Sequence, residues 1–110
     1  MNHDCVFCAL PQWDSTEQFV LGIEPLNPVV PGHRIFIPRC HAVNAASDPE
    51  VTALTFVAAS RYAFNQNHDD FNLITSAGRA ATQTVFHLHV HYVPRHEADG
   101  LSLPWTGQVR

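Results

Sequence analysis

Residues 87–91 run His-Leu-His-Val-His, three imidazoles alternating with apolar side chains. In a β-strand successive side chains point to opposite faces, so His87, His89 and His91 share one face while Leu88, Val90 and Tyr92 share the other. Such a strand can pack its apolar face on a core and present imidazoles to a cleft. Imidazole is both a nucleophile and a proton carrier near neutral pH, so the row is suited to acid–base or covalent chemistry.

Three readings of the row compete. It can be the polar face of a half-exposed strand, although strict alternation of three among only eight histidines in the chain argues against that. It can hold a metal. Strand rise sets adjacent alternate residues about 6.7 Å apart and the outer pair about 13 Å apart. With zinc–nitrogen bonds of about 2.0–2.1 Å, two neighbours share an ion far more readily than three. It can also act covalently, with a central histidine as nucleophile assisted by its neighbours.

The surrounding residues sharpen the third reading. Gln-Thr-Val-Phe-His-Leu-His-Val-His-Tyr-Val-Pro-Arg at 83–95 resembles the signature of the histidine triad (HIT) family. Upstream, Pro-Gly-His at 31–33 followed by Pro-Arg-Cys-His at 38–41 is similar to a second family segment. Cys-Val-Phe-Cys at 5–8 resembles an N-terminal element of many members. The resemblance runs from residue 5 to residue 95 and implies an α+β fold, an antiparallel sheet with one main helix and a zinc-pinned N-terminus, in one domain spanning 1–110.

The resemblance also implies roles. His89 is the nucleophile toward the α-phosphorus of a small nucleotide, forming a nucleotidyl–imidazole intermediate that water hydrolyses. His91 orients it and bonds phosphate oxygens, and Thr84 assists the leaving group. Gln83 is structural or lies at the phosphate loop, and His33 either packs behind the triad or is an ordinary core histidine. Cys5, Cys8, His41 and His87 form a Cys₂His₂ structural zinc site, which removes the first triad histidine from the reaction; the alternative is a reduced, metal-free cysteine pair. Cys40 is a spare thiol beside His41. A dinucleoside polyphosphate is the favoured substrate, with a nucleoside phosphoramidate as the alternative, and a homodimer is implied.

Three positions depart from the family pattern. Pro25 replaces the ribose-binding Asp or Asn, leaving Asn27 or Glu24 as substitutes, with Asn27 preferred. Ser76 replaces an Asn or Gln near the phosphate. Thr82 replaces a glycine in the loop before the triad, which reduces backbone freedom there. These departures keep open a nucleotide-binding or regulatory module with little catalysis. An open-zinc metalloenzyme using two triad histidines is the other rival.

The rest of the chain must position these groups. It has 110 residues, enough for one core, with 45% hydrophobic and 15% charged residues, as in a globular protein. A net charge of −4 disfavours binding of long nucleic acids. All six cations are arginine, which excludes a lysine Schiff base or a P-loop. No leader and no apolar run of about 18 residues is visible, so a soluble, cytoplasmic protein without membrane contact is expected. Three cysteines do not suggest a disulfide framework.

Strands are predicted at 18–23, 33–37, 71–75 and 84–93, with a proline-punctuated turn at 24–32 and a small-residue loop at 76–82. A helix is predicted from Ser47 or Asp48 to Asn65, with Pro49 in its first turn and Glu50 placed to close a capping box. Val51, Leu54, Val57, Ala58 and Tyr62 are its predicted core face. His3, His68 and His96 are expected at the surface. The tail at 97–110 is read as a cover for the site or as a dimer contact.

Overall fold

The computed structural model describes residues 4–67 and 69–106; His3, His68 and residues 107–110 lie outside them. Four strands form one antiparallel sheet: β1 (Val20–Ile23), β2 (Arg34–Pro38), β3 (Phe71–Ile74) and β4 (Val90–Pro94), in the order β1-β2-β4-β3. The α+β architecture predicted from the sequence is thus present, with one helix, α1 (Pro49–Phe64). Among the described residues no helix is long and apolar enough to cross a membrane.

Asp48 caps α1, its carboxylate accepting from the Val51 amide at 3.1 Å. Because the cap is Asp48, the third helical position is Val51. Glu50 therefore stands one place too early for the predicted capping box. The helix buries Val51, Thr55, Ala59 and Ala63, and Tyr62 and Ala58 pack partly buried against the core. Leu54 and Val57, predicted inside, are 52% and 43% exposed. The buried residues are small and four apart, which lets the helix lie close on Phe36, Val90 and Tyr92. Thr55 can be buried because its hydroxyl donates to the Val51 carbonyl at 2.8 Å.

The opposite face of the sheet is covered by the N-terminal segment. Trp13, on a 3₁₀ turn at Pro11–Ser15, packs with Leu21, Ile35 and Ile37. Its indole Nε1–H donates to the Phe7 carbonyl at 2.8 Å, tying this layer to the cysteine segment. His91 stands opposite Ile35 on β2 and Ile74 on β3. The histidines therefore face the layer carrying the cysteines, and the helix takes the other face.

The histidine strand is shorter than predicted, beginning at Val90 rather than residue 84. Before that, bonds outside the sheet ladder hold the chain. The Leu88 amide donates to the Ala42 carbonyl at 2.6 Å, and the Thr75 hydroxyl donates to the His89 carbonyl at 2.8 Å. The side chains still alternate: Leu88 packs with Ala42 and Val51, and Val90 and Tyr92 join the helix-side core.

Candidate functional site

The three triad imidazoles divide into two sites. His87 is fully buried, and its Nε2 lies 2.8 Å from the Pro38 carbonyl. A carbonyl only accepts, so Nε2 carries the proton and Nδ1 keeps its lone pair. That lone pair faces Cys5 Sγ at 3.4 Å, Cys8 Sγ at 3.5 Å and His41 Nδ1 at 3.1 Å. Cys8 Sγ lies 3.1 Å from His41 Nδ1, and all four ligand atoms lie within 4.8 Å of one another. Zinc–sulfur bonds of about 2.3 Å and zinc–nitrogen bonds of about 2.0 Å imply tetrahedral edges of roughly 3.3–3.8 Å. The observed spacings are close to that, so the four predicted ligands fit a metal ion. The Pro38 carbonyl supplies the outer bond that such a histidine uses to fix its ring. Burial pushes the Cys5 thiol up and the His87 imidazole down from their ordinary ranges. Cys40 is exposed and outside this group.

His89 and His91 remain for other chemistry, their ring centroids 5.1 Å apart. His89 Nδ1 lies 2.8 Å from the His87 carbonyl, so the proton is on Nδ1 and Nε2 has a free lone pair. Burial lowers its pKa, which favours the neutral, nucleophilic ring. Phe7, between the two metal-site cysteines, packs edge-on against both His89 at 5.1 Å and His87 at 5.9 Å.

His33 sits just before β2. The Pro31-Gly32 turn leads into it, with Gly32 at φ +91, a conformation L side chains rarely adopt, and a Cβ there would meet Pro94 Cγ tightly at 3.2 Å. The Val29 amide donates to His33 Nδ1 at 3.1 Å, so in the neutral ring Nε2 carries the proton. That Nε2–H faces His91 Nδ1 at 2.9 Å. His91 therefore accepts at Nδ1 and keeps its own proton on Nε2. Burial, with His89 and His33 adjacent, pushes the His91 pKa down to about 4; burial also lowers that of His33. Neutral rings with assigned tautomers follow: His89 offers a lone pair and His91 an N–H.

His33 and His91 line a cleft of about 240 Å³ together with Ser76, Thr82, Asn72 and Arg95. Val29, Ile74, Val93, Leu101 and Leu103 make it largely apolar. Ser76, a predicted site residue, is thus among the residues that line the cleft. Asn27 is exposed and does not line the cleft; Val29, from the same turn, does. Thr84 is exposed and lines two neighbouring recesses rather than this cleft. Gln83 is 4% exposed, and its amide bonds inward: Oε1 accepts from the Gly78 amide at 2.8 Å, while Nε2 donates to the Val43 and Val85 carbonyls at 2.7 and 3.1 Å. These bonds tie the loop before the triad to Val43, and Gln83 also borders a neighbouring recess.

The sequence leaves the tail between two roles, and the clamp that anchors it was not read from the residues. Arg95 pairs with Asp99 through two bonds of 2.7 and 3.0 Å and also donates to Asn72 Oδ1 at 2.7 Å and the Leu101 carbonyl at 3.2 Å. This clamp sets Leu101, Ser102 and Leu103 against the cleft. The readable signal was an Arg and an Asp four apart, followed by Gly100.

Comparison with known proteins gives the same picture. The HIT domain family model matches residues 16–98. An Arabidopsis thaliana relative, "Adenylylsulfatase HINT3", is 30% identical over 92% of this chain, which spans 57% of that relative's length. The Saccharomyces cerevisiae "Adenosine 5'-monophosphoramidase HNT1" is 29% identical over 94% of this chain and 71% of its own. A zinc-bound histidine triad family protein from Mycobacterium smegmatis superposes with a TM-score of 0.72 at 34% identity, over 89% of this chain and 79% of that one. The matched region carries the sheet, the helix and all three triad histidines, and the chain belongs to the HIT family.

Proposed function

We propose that this protein hydrolyses a small nucleotide at its α-phosphorus through a covalent nucleotidyl–His89 intermediate. The observation that carries the reading is the His89 Nδ1 bond to the His87 carbonyl, which leaves Nε2 unprotonated on a ring kept neutral by burial. In the first step the Nε2 lone pair attacks phosphorus. The bond from phosphorus to the leaving group breaks, and its electron pair departs with that group. The His91 Nε2–H donates to a phosphate oxygen as charge develops, and Thr84 assists the leaving group. The ring, keeping its Nδ1 proton, becomes a cationic phosphoryl-imidazolium and is a good leaving group in turn. Water then attacks, the phosphorus–nitrogen bond breaks, and the nucleoside monophosphate departs as a proton passes to solvent. One difficult displacement becomes two easier ones.

Ser76 is the side chain proposed for the phosphate in the cleft. Asn27 would have to reach the ribose from its exposed turn. The Cys5, Cys8, His41 and His87 site is proposed to bind zinc, which would crosslink the N-terminal segment to the histidine segment. Residues 1–110 are taken as one HIT domain that works in the cytoplasm as a homodimer, with no nucleic acid or membrane partner; size-exclusion chromatography with light scattering tests the dimer. A dinucleoside polyphosphate is the substrate favoured by the sequence resemblance. The names of the Arabidopsis and yeast relatives favour a second reading, an adenylyl group bearing a small leaving group.

Chromatographic product analysis tests the proposal. Wild type and His89→Ala, both shown folded by circular dichroism, are incubated with diadenosine tetraphosphate, adenosine 5′-phosphoramidate and adenylyl sulfate. AMP release by wild type and its loss in His89→Ala is the expected result. Absence of AMP from all three, with zinc supplied, overturns adenylyl hydrolysis.

A further inference from the structure

Two arginines line recesses beside the triad, and they are partnered differently. Arg95 is neutralised by Asp99, and its remaining donors go to Asn72 and Leu101. Arg79 has no ion pair and no side-chain hydrogen bond among the described residues. Its guanidinium lies 5.9 Å over the ring of Phe86, which is itself 40% exposed. That separation is within cation–π range and holds the charge in place without quenching it.

Arg79 and Phe86 line a recess of about 300 Å³ with Thr82, Gln83 and Thr84. Thr82 also lines the cleft containing His33 and His91, so the two spaces adjoin at one residue. At about 240 Å³ the cleft is smaller than the roughly 300–1,000 Å³ of usual ligand pockets. A nucleotide held there would project part of itself beyond Thr82. In a chain of net charge −4, Arg79 is the local cation that such a part would meet.

We propose that Arg79, held by Phe86, forms a subsite for an oxyanionic leaving group, either sulfate or the distal phosphates of a nucleotide. This rests on the nucleotidyl-hydrolase reading. When the bond from phosphorus to the leaving oxygen breaks, the electron pair stays on that oxygen. The guanidinium N–H groups donate to the departing oxyanion, so Arg79 lowers the barrier for anionic leaving groups. A departing amine takes up a proton from solvent water as the phosphorus–nitrogen bond breaks, leaves neutral, and draws no such help.

Steady-state kinetics of wild type, Arg79→Ala and Arg79→Lys on adenylyl sulfate, diadenosine tetraphosphate and adenosine 5′-phosphoramidate test this. Arg79→Ala should lower kcat/KM about 10- to 100-fold for an anionic leaving group, the range of one charge-assisted hydrogen bond, and less than about 2-fold for the phosphoramidate. Arg79→Lys should recover part of the loss. A loss confined to one of the two anionic substrates identifies which group the subsite takes. Equal losses on all three, or none, overturn the proposal. Calorimetric titration with inorganic tripolyphosphate and with sulfate provides a readout independent of turnover. Weaker binding of either anion to Arg79→Ala than to wild type is expected, and equal or absent binding of both overturns the subsite. Failure of wild type to release AMP from any substrate counts separately, against the hydrolase reading.

Discussion

Thr82 stands at φ 74 and ψ 17, in the left-handed region that favours glycine. For an L-residue that conformation costs roughly 1–2 kcal/mol, and a β-branched side chain is a true outlier there. The loop enforces it: the Thr82 amide donates to the Arg79 carbonyl at 3.0 Å, and the Gln83 amide donates to the Gly78 carbonyl at 3.0 Å. Thr82→Gly relieves the strain, while glycine's greater freedom in the unfolded chain offsets about 0.4–1 kcal/mol of that gain. The net expectation is stabilisation of about 0.5–1 kcal/mol, or a Tm rise of roughly 2–6 °C for a domain of this size. Thermal and urea unfolding followed by circular dichroism measure it. Thr82→Val keeps the branched side chain and should not melt higher than wild type. If Thr82→Gly melts at or below wild type, contacts of the side chain outweigh backbone strain, and the reasoning fails.

Acid should weaken the fold through His91. Its folded pKa, near 4, lies below the ordinary value, so the neutral ring contributes stability that is present above about pH 6.5 and lost as pH falls through 4. After discounting for solvent at this half-buried ring, the loss is on the order of 2 kcal/mol. Urea midpoints at pH 7, 5.5 and 4 for wild type and His91→Gln check it, and parallel curves would refute the assignment. Chelation should lower Tm and activity together as the N-terminal segment detaches, by about 4 kcal/mol relative to protein with free zinc at a thousand times its Kd. Activity that vanishes immediately while the melting curve stays unchanged would instead indicate a catalytic metal.

The ligand set and the triad's alternation were legible because each rests on residue type and order alone. Cys5, Cys8, His41 and His87 meet as read, and so do His33 and His91. Places where tertiary packing decides were less legible. Leu54 and Val57 fit a helical apolar stripe, yet the sheet accepts the smaller Thr55, Ala59 and Ala63. Residues 84–89 carry strand-like alternation, but bonds from Thr75 and to Ala42 take the place of ladder bonds. Asn27 is preferred in the sequence because it shares the turn of Pro25, but the residue of that turn that borders the cleft is Val29. The tail's path depends on an arginine clamp of four bonds to three partners, one of which, Asn72, lies in the neighbouring strand β3.

The three proton positions traced in the triad are set by main-chain groups: the Val29 amide through His33, the His87 carbonyl and the Pro38 carbonyl. In many enzymes a carboxylate side chain does this, and one base change in the gene can remove it. Here main-chain groups carry the instruction, relayed at His91 by the His33 ring. Side chains lining the cleft, His33 excepted, can therefore drift toward new ligands while His89 and His91 keep their tautomers. Diversification of specificity and preservation of chemistry are thereby separated in evolution.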